Sequence, residues 1–196
     1  MSAPVTIRLF FNFRSPYCYL ATKTMFELVD EFNAEFDWLP LGGWDGRSPP
    51  ERAKKKIHIA RQDGARWAKK LGVPFNPPPA TTDPTRAGAG SLLANEKGLL
   101  RPYIMEVMHA EWGEGGDIGD PQVLVPAAEK AGLDRDELTA AMDDPKRLDR
   151  LEKNWQLAEQ LGAYGVPLFM VDEQIFWGQD RIPFVKDYLV ELGAVR

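Results

Sequence analysis

The spacing of apolar residues changes twice along the chain, from strand-like to helical and back again. Val5 to Phe13 is rich in β-branched and aromatic residues, which predicts a buried strand. Ser15-Pro16 is a helix-start signal, and apolar residues then recur at helical spacing to about Phe32. The alternating segment Glu35 to Leu41, ended by Gly42-Gly43, predicts a second strand. A strand, a helix and a strand in this order favour a parallel pair and the α/β class.

The middle of the chain reads as almost entirely helical. Gly72-Val73-Pro74 ends the first of its predicted helices. Further helix-start signatures occur at Asp83-Pro84, Asp120-Pro121, Asp134 and Asp144-Pro145. Pro126 conflicts with a simple helix after Asp120, so we expect a late start or a kink there.

Strand patterns return at the end of the chain. Val166 to Val171 is a short apolar run, Asp172-Glu173 predicts a turn, and Gln174 to Trp177 predicts its partner strand. The segment from about Asp180 to Leu192 predicts a last amphipathic helix.

The predicted order of elements is β-α-β, a long helical region, then β-β-α. This order is typical of a thioredoxin-like α/β fold that carries a large all-helical insertion. We expect residues 1–45 and 164–196 to form the discontinuous thioredoxin-like domain, and residues 46–163 to form the insertion.

Composition narrows the function classes. The chain has 196 residues, a net charge of −5 and no basic tail, which argues against a nucleic-acid partner. No apolar run is long enough to span a membrane, and the first residues lack the pattern of a secretory signal. Cys18 is the only cysteine, so an intrachain disulfide is impossible. These features together predict a reducing, cytoplasmic setting.

Several stretches resemble the 2-hydroxychromene-2-carboxylate isomerase family. The resemblance is carried by Phe13 to Ala21, Gly165 to Phe169 and Phe176 to Arg181, of which the last is quite specific and the Ser-Pro-Tyr start less so. Ala68 to Phe75 and Gly116 to Pro121 fit the middle of the family. That family is related to the kappa-class glutathione transferases and shares the fold of DsbA-type oxidoreductases. The resemblance therefore implies a DsbA/kappa-type fold, glutathione as cofactor, a small electrophilic substrate and a homodimer.

Ser15 stands where a dithiol oxidoreductase of this fold carries its reactive cysteine. The resemblance implies that the Ser15 hydroxyl donates a hydrogen bond to the glutathione sulfur and lowers the pKa of that thiol, although an isolated Ser-Pro is usually only an N-cap. Cys18 lies three residues on, where the family commonly has serine. It is interpreted either as a small buried residue or as a thiol able to form a mixed disulfide with glutathione.

The resemblance places the rest of the glutathione site just before and just after the last two predicted strands. Val166-Pro167 resembles a cis-proline loop that pairs with the cysteinyl backbone, the alternative being a trans proline that opens a strand. Gln179 and Asp180 would hold the γ-glutamyl end, unless Asp180 only caps the last helix. Trp177 adjoins them and is the tryptophan expected to touch a ligand.

The helix after Pro49-Pro50 carries a basic stretch, since residues 51–70 hold eight Lys or Arg against two acids. By the family pattern, Lys56 meets the glycine carboxylate of glutathione and Asp63, on the same helix face, lies near the site. The alternative is a solvated basic face. Arg47 stands close to where the family has asparagine, and is a candidate substrate contact.

These expectations favour a glutathione-dependent isomerase that works by thiolate addition, bond rotation and elimination. The alternatives are a kappa-type glutathione transferase, a monothiol disulfide oxidoreductase that uses Cys18, and a binding domain without catalysis. His58 and His109 form no metal motif with Cys18 or with an acidic cluster, so no metal is expected.

Overall fold

The computed structural model describes residues 3–43 and 50–196, with side chains from residue 56 onward in the second range. The strands are β1 Val5–Phe11, β2 Ala34–Pro40, β3 Leu168–Val171 and β4 Gln174–Trp177. The helices are α1 Pro16–Ala21, α2 Glu27–Asp30, α3 Pro50–Leu71, α4 Thr85–Glu96, α5 Leu100–Met108, α6 Pro121–Lys130, α7 Arg135–Met142, α8 Pro145–Gln160 and α9 Ile182–Glu191. A π-helical turn, His109–Gly113, extends α5, and a 3-10 turn, Gln179–Arg181, precedes α9.

The four strands form one mixed sheet in the order β2-β1-β3-β4. β1 runs parallel to β2, with Leu9 beside Trp38, and antiparallel to β3, with Leu9 beside Phe169. β3 and β4 form the predicted hairpin. The β-α-β and β-β-α order predicted from the sequence is confirmed, and with it the α/β class.

Alternation along β1 divides its apolar side chains between two cores. Ile7, Leu9 and Phe11 join the larger core, which also holds Tyr103 of the helical region. Phe10 points to the opposite face and joins a smaller core with Ala158 of α8. The helical region therefore covers both faces of the sheet and shares its cores with it.

Side chains from the helical region also bond directly to the sheet. Trp38 Nε1 of β2 donates to Ser91 Oγ of α4 at 2.9 Å, and Asn154 Nδ2 of α8 donates to the Pro40 carbonyl at 2.9 Å. Between β2 and β3, the described residues form helices and connecting turns but no strand. The boundary predicted at residue 46 lies outside the described residues. None of the described helices has the length and apolar character needed to cross a bilayer.

The single helix predicted from Pro16 to about Phe32 is wrong, because α1 ends at Ala21 and α2 begins at Glu27. The residues between them stay wound by tighter i→i−3 bonds, such as Thr24 N–H to the Ala21 carbonyl at 3.1 Å. Met25 and Leu28 remain fully buried. The helical spacing thus marked the buried positions correctly but not the continuity of the helix.

The late start expected for the helix near Pro126 is also wrong. Asp120 caps α6 by accepting from the Gln122 N–H at 2.8 Å, and the helix runs through Pro126. Proline deprives the carbonyl four residues earlier, that of Gln122, of its helical donor. Both Pro126 and Gln122 are exposed, so water can take the place of that donor.

Candidate functional site

Ser15 begins α1 and lies between two parts of the backbone. Its extended conformation, φ −84° and ψ 122°, lets the side-chain oxygen accept from the Cys18 N–H at 3.3 Å. The same hydroxyl donates to the Val166 carbonyl at 3.2 Å. Ser15 is therefore an N-cap, as its sequence predicts, and it also contacts the loop that begins the C-terminal half of the sheet.

Asn12 builds the turn that places Ser15. Its side-chain oxygen accepts from the Arg14 N–H at 2.9 Å, and its amide nitrogen donates to the Leu41 carbonyl at 3.0 Å. The Asn12 carbonyl accepts from the Ser15 N–H at 3.0 Å. The turn between β1 and α1 is thus attached to the end of β2, so Ser15 is held by the sheet.

Cys18 is fully buried in the larger core. Burial raises the pKa of the Cys18 thiol to about 12, although hydrogen bonds from Asn12 and Ser15 oppose the rise. The interpretation of Cys18 as a small buried residue fits these facts. They argue against the alternative in which Cys18 acts as an exchanging thiol.

The Val166–Pro167 peptide bond is cis, as predicted. Pro167 is buried and Val166 is half-buried, and the Pro167 carbonyl accepts from the Gly178 N–H at 3.0 Å. The cis-proline loop therefore connects Ser15 on one side with the end of β4 on the other.

Asp63 of α3 lies close to the start of α1, where it contacts Tyr17. The sequence analysis expected Asp63 near the site but did not predict this contact. The Tyr17 hydroxyl donates to Asp63 Oδ2 at 3.0 Å. Burial, with the hydrogen bond and charge of Asp63 and the charge of Asp180, raises the pKa of Tyr17 to about 12. Lys56 is exposed on the same continuous helix, two turns before Asp63.

Asp180 lies two residues after Gly178, whose N–H bonds the Pro167 carbonyl, and the Asp180 carboxylate lies against the Gly178 backbone. Gly178 has a φ of 114°, a backbone conformation in which any other residue is strained, and Asp180 Oδ1 lies where a Cβ of residue 178 would come within 2.7 Å of it. Asp180 Oδ2 lies 3.5 Å from Arg181 Nη2, and Gln179 is buried. Neither the 3-10 turn nor α9 has a side-chain cap, so the alternative that Asp180 caps the last helix does not hold.

Trp177 and Tyr164 meet on the outer side of the cis-proline loop. Trp177 is 54% exposed and Tyr164 81% exposed, and their ring centroids lie 6.1 Å apart with the planes at 85°. The indole lies so close to Gly165 that a Cβ there would be 2.6 Å from Trp177 Nε1. Sequence reasoning singled out Trp177 but missed Tyr164.

Glu111 is a second residue that sequence reasoning missed. It lies in the π-helical turn, fully buried, and neither carboxyl oxygen has a hydrogen-bond partner within the described chain. Burial raises the pKa of Glu111 well above its ordinary value, although the positive charge of Arg14 opposes the rise. The available signal was its spacing, since Glu111 follows the apolar residues Ile104, Val107 and Met108 at helical intervals.

The structure thus brings together some of the predicted residues and leaves others unplaced. Ser15 contacts Val166, and the charges of Asp63 and Asp180 both act on Tyr17. Arg47 lies outside the described residues. Within the described ranges, no three His, Cys, Asp or Glu side chains come together as a metal site. The site offers the Ser15 hydroxyl, the backbone of the cis-proline loop and two carboxylates, with a lysine two turns earlier on α3.

Comparisons with known proteins agree with this architecture. The family model of the DSBA-like thioredoxin domain matches residues 6–190. The 2-hydroxychromene-2-carboxylate isomerase of Sphingobium xenophagum is 31% identical over 194 residues, covering 95% of this chain and 98% of the relative. Glutathione S-transferase kappa 1 of Homo sapiens is 25% identical over 209 residues, covering 96% of this chain and 92% of the transferase.

A solved structure of a 2-hydroxychromene-2-carboxylate isomerase shares the fold, with a TM-score of 0.80 at 22% identity over 95% of both chains. The family model extends from β1 into α9, and the Sphingobium isomerase matches over nearly its whole length. This chain belongs to the DSBA-like thioredoxin family and, within it, to the 2-hydroxychromene-2-carboxylate isomerase family.

Proposed function

We propose that this protein is a glutathione-dependent isomerase of an electrophilic metabolite from aromatic-compound catabolism, with Ser15 as its catalytic residue. The observation that carries the proposal is the Ser15 hydroxyl, 3.2 Å from the Val166 carbonyl at the start of α1. The only thiol of the chain, that of Cys18, is fully buried, so a reactive thiolate at Ser15 has to come from a bound molecule. The isomerase relatives support the substrate class.

The donor set at this place fits glutathione. That tripeptide carries a thiol, two carboxylates and one ammonium group, which need a donor for the sulfur, cations for the carboxylates and anions for the ammonium. The proposed contact residues are Lys56, Asp63, Val166, Pro167, Trp177, Gln179 and Asp180. Lys56 is assigned to the glycine carboxylate, Val166 to the cysteinyl backbone, and Asp180 to the ammonium group, with Asp63 nearby.

When bound, glutathione supplies the thiolate that adds to a conjugated carbon of the substrate and leaves after the bond has rotated. Ser15 turns its hydroxyl from the Val166 carbonyl to the sulfur, which frees that carbonyl to accept the cysteinyl N–H. The Cys18 N–H stays on the Ser15 oxygen and keeps it in position. A hydrogen bond to a charged sulfur contributes about 1.5–3 kcal/mol, or roughly one to two pKa units of the thiol.

Glutathione transfer is a second candidate, supported by the similarity to glutathione S-transferase kappa 1. It needs the same residues and differs only in whether the glutathione conjugate is released. Mass analysis of the product distinguishes an isomer of the substrate from a glutathione conjugate.

We extend the proposal to a homodimeric cytoplasmic enzyme, because the resemblance implies a homodimer and a single buried cysteine suits a reducing compartment.

The test compares Ser15→Ala with Ser15→Asp in the full chain. Alanine removes both the cap and the donor, whereas aspartate keeps the cap but has no proton to donate to a thiolate. We expect calorimetry to show glutathione binding to the wild type. We expect ultraviolet titration of the bound thiolate to show a higher pKa in both variants. Folding stability should fall in both variants, because both lose the hydrogen bond to the Val166 carbonyl, and alanine loses the N-cap as well.

Two results would contradict the proposal. If glutathione does not bind the wild type, glutathione is not the cofactor. An unchanged thiol titration curve in both variants, with binding retained, reduces Ser15 to an N-cap and places thiol activation elsewhere.

A further inference from the structure

Two arginines from different elements hold the same segment of the chain. Arg14, between β1 and α1, donates from its guanidinium to the Ala80 carbonyl, and Arg61 of α3 donates to the Pro78 carbonyl. Both carbonyls belong to the connector between α3 and α4, residues 72–84. Residues two apart in a chain are at most about 7 Å apart, so the two guanidinium groups are neighbours. We call Arg14 and Arg61 the arginine pair.

The arginine pair concentrates positive charge. Burial lowers the pKa of Arg14 and the charge of Arg61 lowers it further, while the charges of Glu111 and Asp83 oppose this. Burial raises the pKa of Glu111 in turn, and a protonated carboxyl group brings no negative charge to Arg14. Among the described groups that act on Arg14, Asp83 then remains as the anion. Two cations against one anion suit an additional anionic ligand.

Arg61 differs from the cations farther along α3. Lys69 and Lys70 are exposed, as expected for a solvated basic face, whereas Arg61 is half-buried and bonded to a backbone carbonyl. One carbonyl uses one of the five N–H donors of a guanidinium, and this planar group presents its donors to a carboxylate in pairs. The bond to the connector therefore places the Arg61 guanidinium before a ligand arrives.

The connector begins alongside α1. The Tyr19 hydroxyl donates to the Pro74 carbonyl at 2.8 Å. At Gly64 of α3, a Cβ would lie 2.7 Å from the Phe75 ring and 3.4 Å from the Pro16 side chain. The start of the connector, the middle of α3 and the first residue of α1 thus pack against one another.

Arg14 determines how far the arginine pair lies from Ser15. It directly precedes Ser15 in the chain, and its side chain extends to the Ala80 carbonyl. The charged groups of the pair therefore lie about one arginine side chain from the start of α1. A small planar acid can place an electrophilic carbon beside the sulfur that Ser15 activates and its carboxylate at the pair.

We propose that the arginine pair binds the carboxylate of an acidic electrophilic substrate and orients that substrate toward the glutathione sulfur. This inference rests on the proposed function and adds two substrate-binding residues to it. An acid is then preferred over its neutral amide. The glycine end of glutathione, which the proposed function assigns to Lys56, is another source of a carboxylate, and the experiment distinguishes the two.

The experiment compares chromone-2-carboxylate with its neutral amide, chromone-2-carboxamide, on glutathione-saturated full-length protein. Calorimetry gives the Kd of each ligand for the wild type, Arg14→Met and Arg61→Met. Methionine keeps an unbranched apolar side chain but has neither the charge nor the donors. We expect each substitution to weaken binding of the acid about 10-fold, the loss of one hydrogen bond to a charged group, and to change binding of the amide far less. The ratio of the two constants comes from the same protein sample, so partial unfolding of a variant does not alter it.

Lys69→Met is the matched control. It removes one positive charge from an exposed position on the same helix, about 12 Å beyond Arg61 along the helix axis. This variant should bind both ligands like the wild type. Arg61→Lys keeps the charge but loses the planar fork, so its affinity for the acid should lie between those of the wild type and Arg61→Met.

A second titration, with glutathione alone, separates the two sources of the carboxylate. If Arg14→Met and Arg61→Met weaken glutathione binding and keep the wild-type ratio of acid to amide affinity, the pair binds glutathione and the inference is overturned. If neither the ratio nor the glutathione affinity changes, the pair only holds the connector, and the inference is overturned while the proposed function stands. If the wild type does not bind glutathione, the proposed function fails, and the same ratio measured without glutathione still shows whether the pair binds a carboxylate.

Discussion

The Tyr17 hydroxyl donates a hydrogen bond to Asp63 Oδ2 at 3.0 Å, and this contact joins the first turn of α1 to the middle of α3. It fixes the Asp63 side chain beside the first turn of α1, the helix that Ser15 caps. It also attaches the helix that carries Lys56 to the thioredoxin half of the chain.

Tyr17→Phe and Asp63→Asn should each lower the free energy of unfolding, and their effects should not add. We expect a coupling energy of about 1 kcal/mol, because a hydrogen bond to a charged group contributes more than a neutral one but Tyr17 is partly exposed. Urea unfolding of the two single variants and the double variant measures it. Tyr164→Phe, which removes an exposed hydroxyl, is the control and should leave stability unchanged. Additive effects of the two substitutions would show that the contact contributes nothing.

Asp180→Ala should weaken glutathione binding by about 1–3 kcal/mol, the cost of losing a charged hydrogen bond. Asp180 faces the same region as Tyr17 and Asp63, and it is not used as a helix cap. Calorimetry with Asp187→Ala, an exposed acid on α9, provides the control for the loss of one negative charge. Equal affinity in both variants would remove Asp180 from the site.

Glu111→Gln should change the pH dependence of stability. The raised pKa of Glu111 means that the folded state keeps its proton where the unfolded chain has lost it, above about pH 4.3. The free energy of unfolding therefore falls as pH rises from there, by up to about 1.4 kcal/mol per pH unit, until the folded-state pKa is passed. Glutamine removes this contribution, so we expect the variant to gain stability over the wild type on going from about pH 5 to about pH 8.

Urea unfolding at several pH values measures the two slopes. Glu173→Gln, at an exposed acid in the turn between β3 and β4, should follow the wild type. The same slope in wild type and Glu111→Gln would mean that Glu111 ionises normally in the folded protein.

Cys18 should be unreactive in the folded protein. A thiol that is fully buried and whose pKa is raised to about 12 stays protonated at pH 8, and a reagent cannot reach it. We expect a chromogenic disulfide reagent to label Cys18 only as fast as the chain unfolds, and to label it at once in urea. Cys18→Ala should retain glutathione-dependent turnover. Rapid labelling under native conditions, or loss of turnover with the fold intact, would favour the monothiol oxidoreductase instead.

Local sequence signals determined where most elements begin. Asp120, Asp134 and Asp144 cap α6, α7 and α8 as predicted, because a cap depends only on a side chain and the N–H groups two or three residues on. The β3–β4 hairpin follows in the same way from the turn at Asp172, whose φ of 52° suits aspartate. The family resemblance added the cis Val166–Pro167 bond, which residue spacing alone does not predict.

Tertiary packing decided the features that join distant parts of the chain. Ser15 bonds to Val166 across 151 residues, Tyr17 contacts Asp63 on another helix, and Glu111 lies in the core although its carboxyl group is ionisable. Such contacts depend on how whole elements stack, and no local pattern encodes which residues then become neighbours. The break between α1 and α2 has a related origin, since apolar spacing reports burial but does not distinguish a continuous helix from tighter turns. The sequence thus determined most of the elements and their order, while the packing of those elements against one another determined which residues meet at the site.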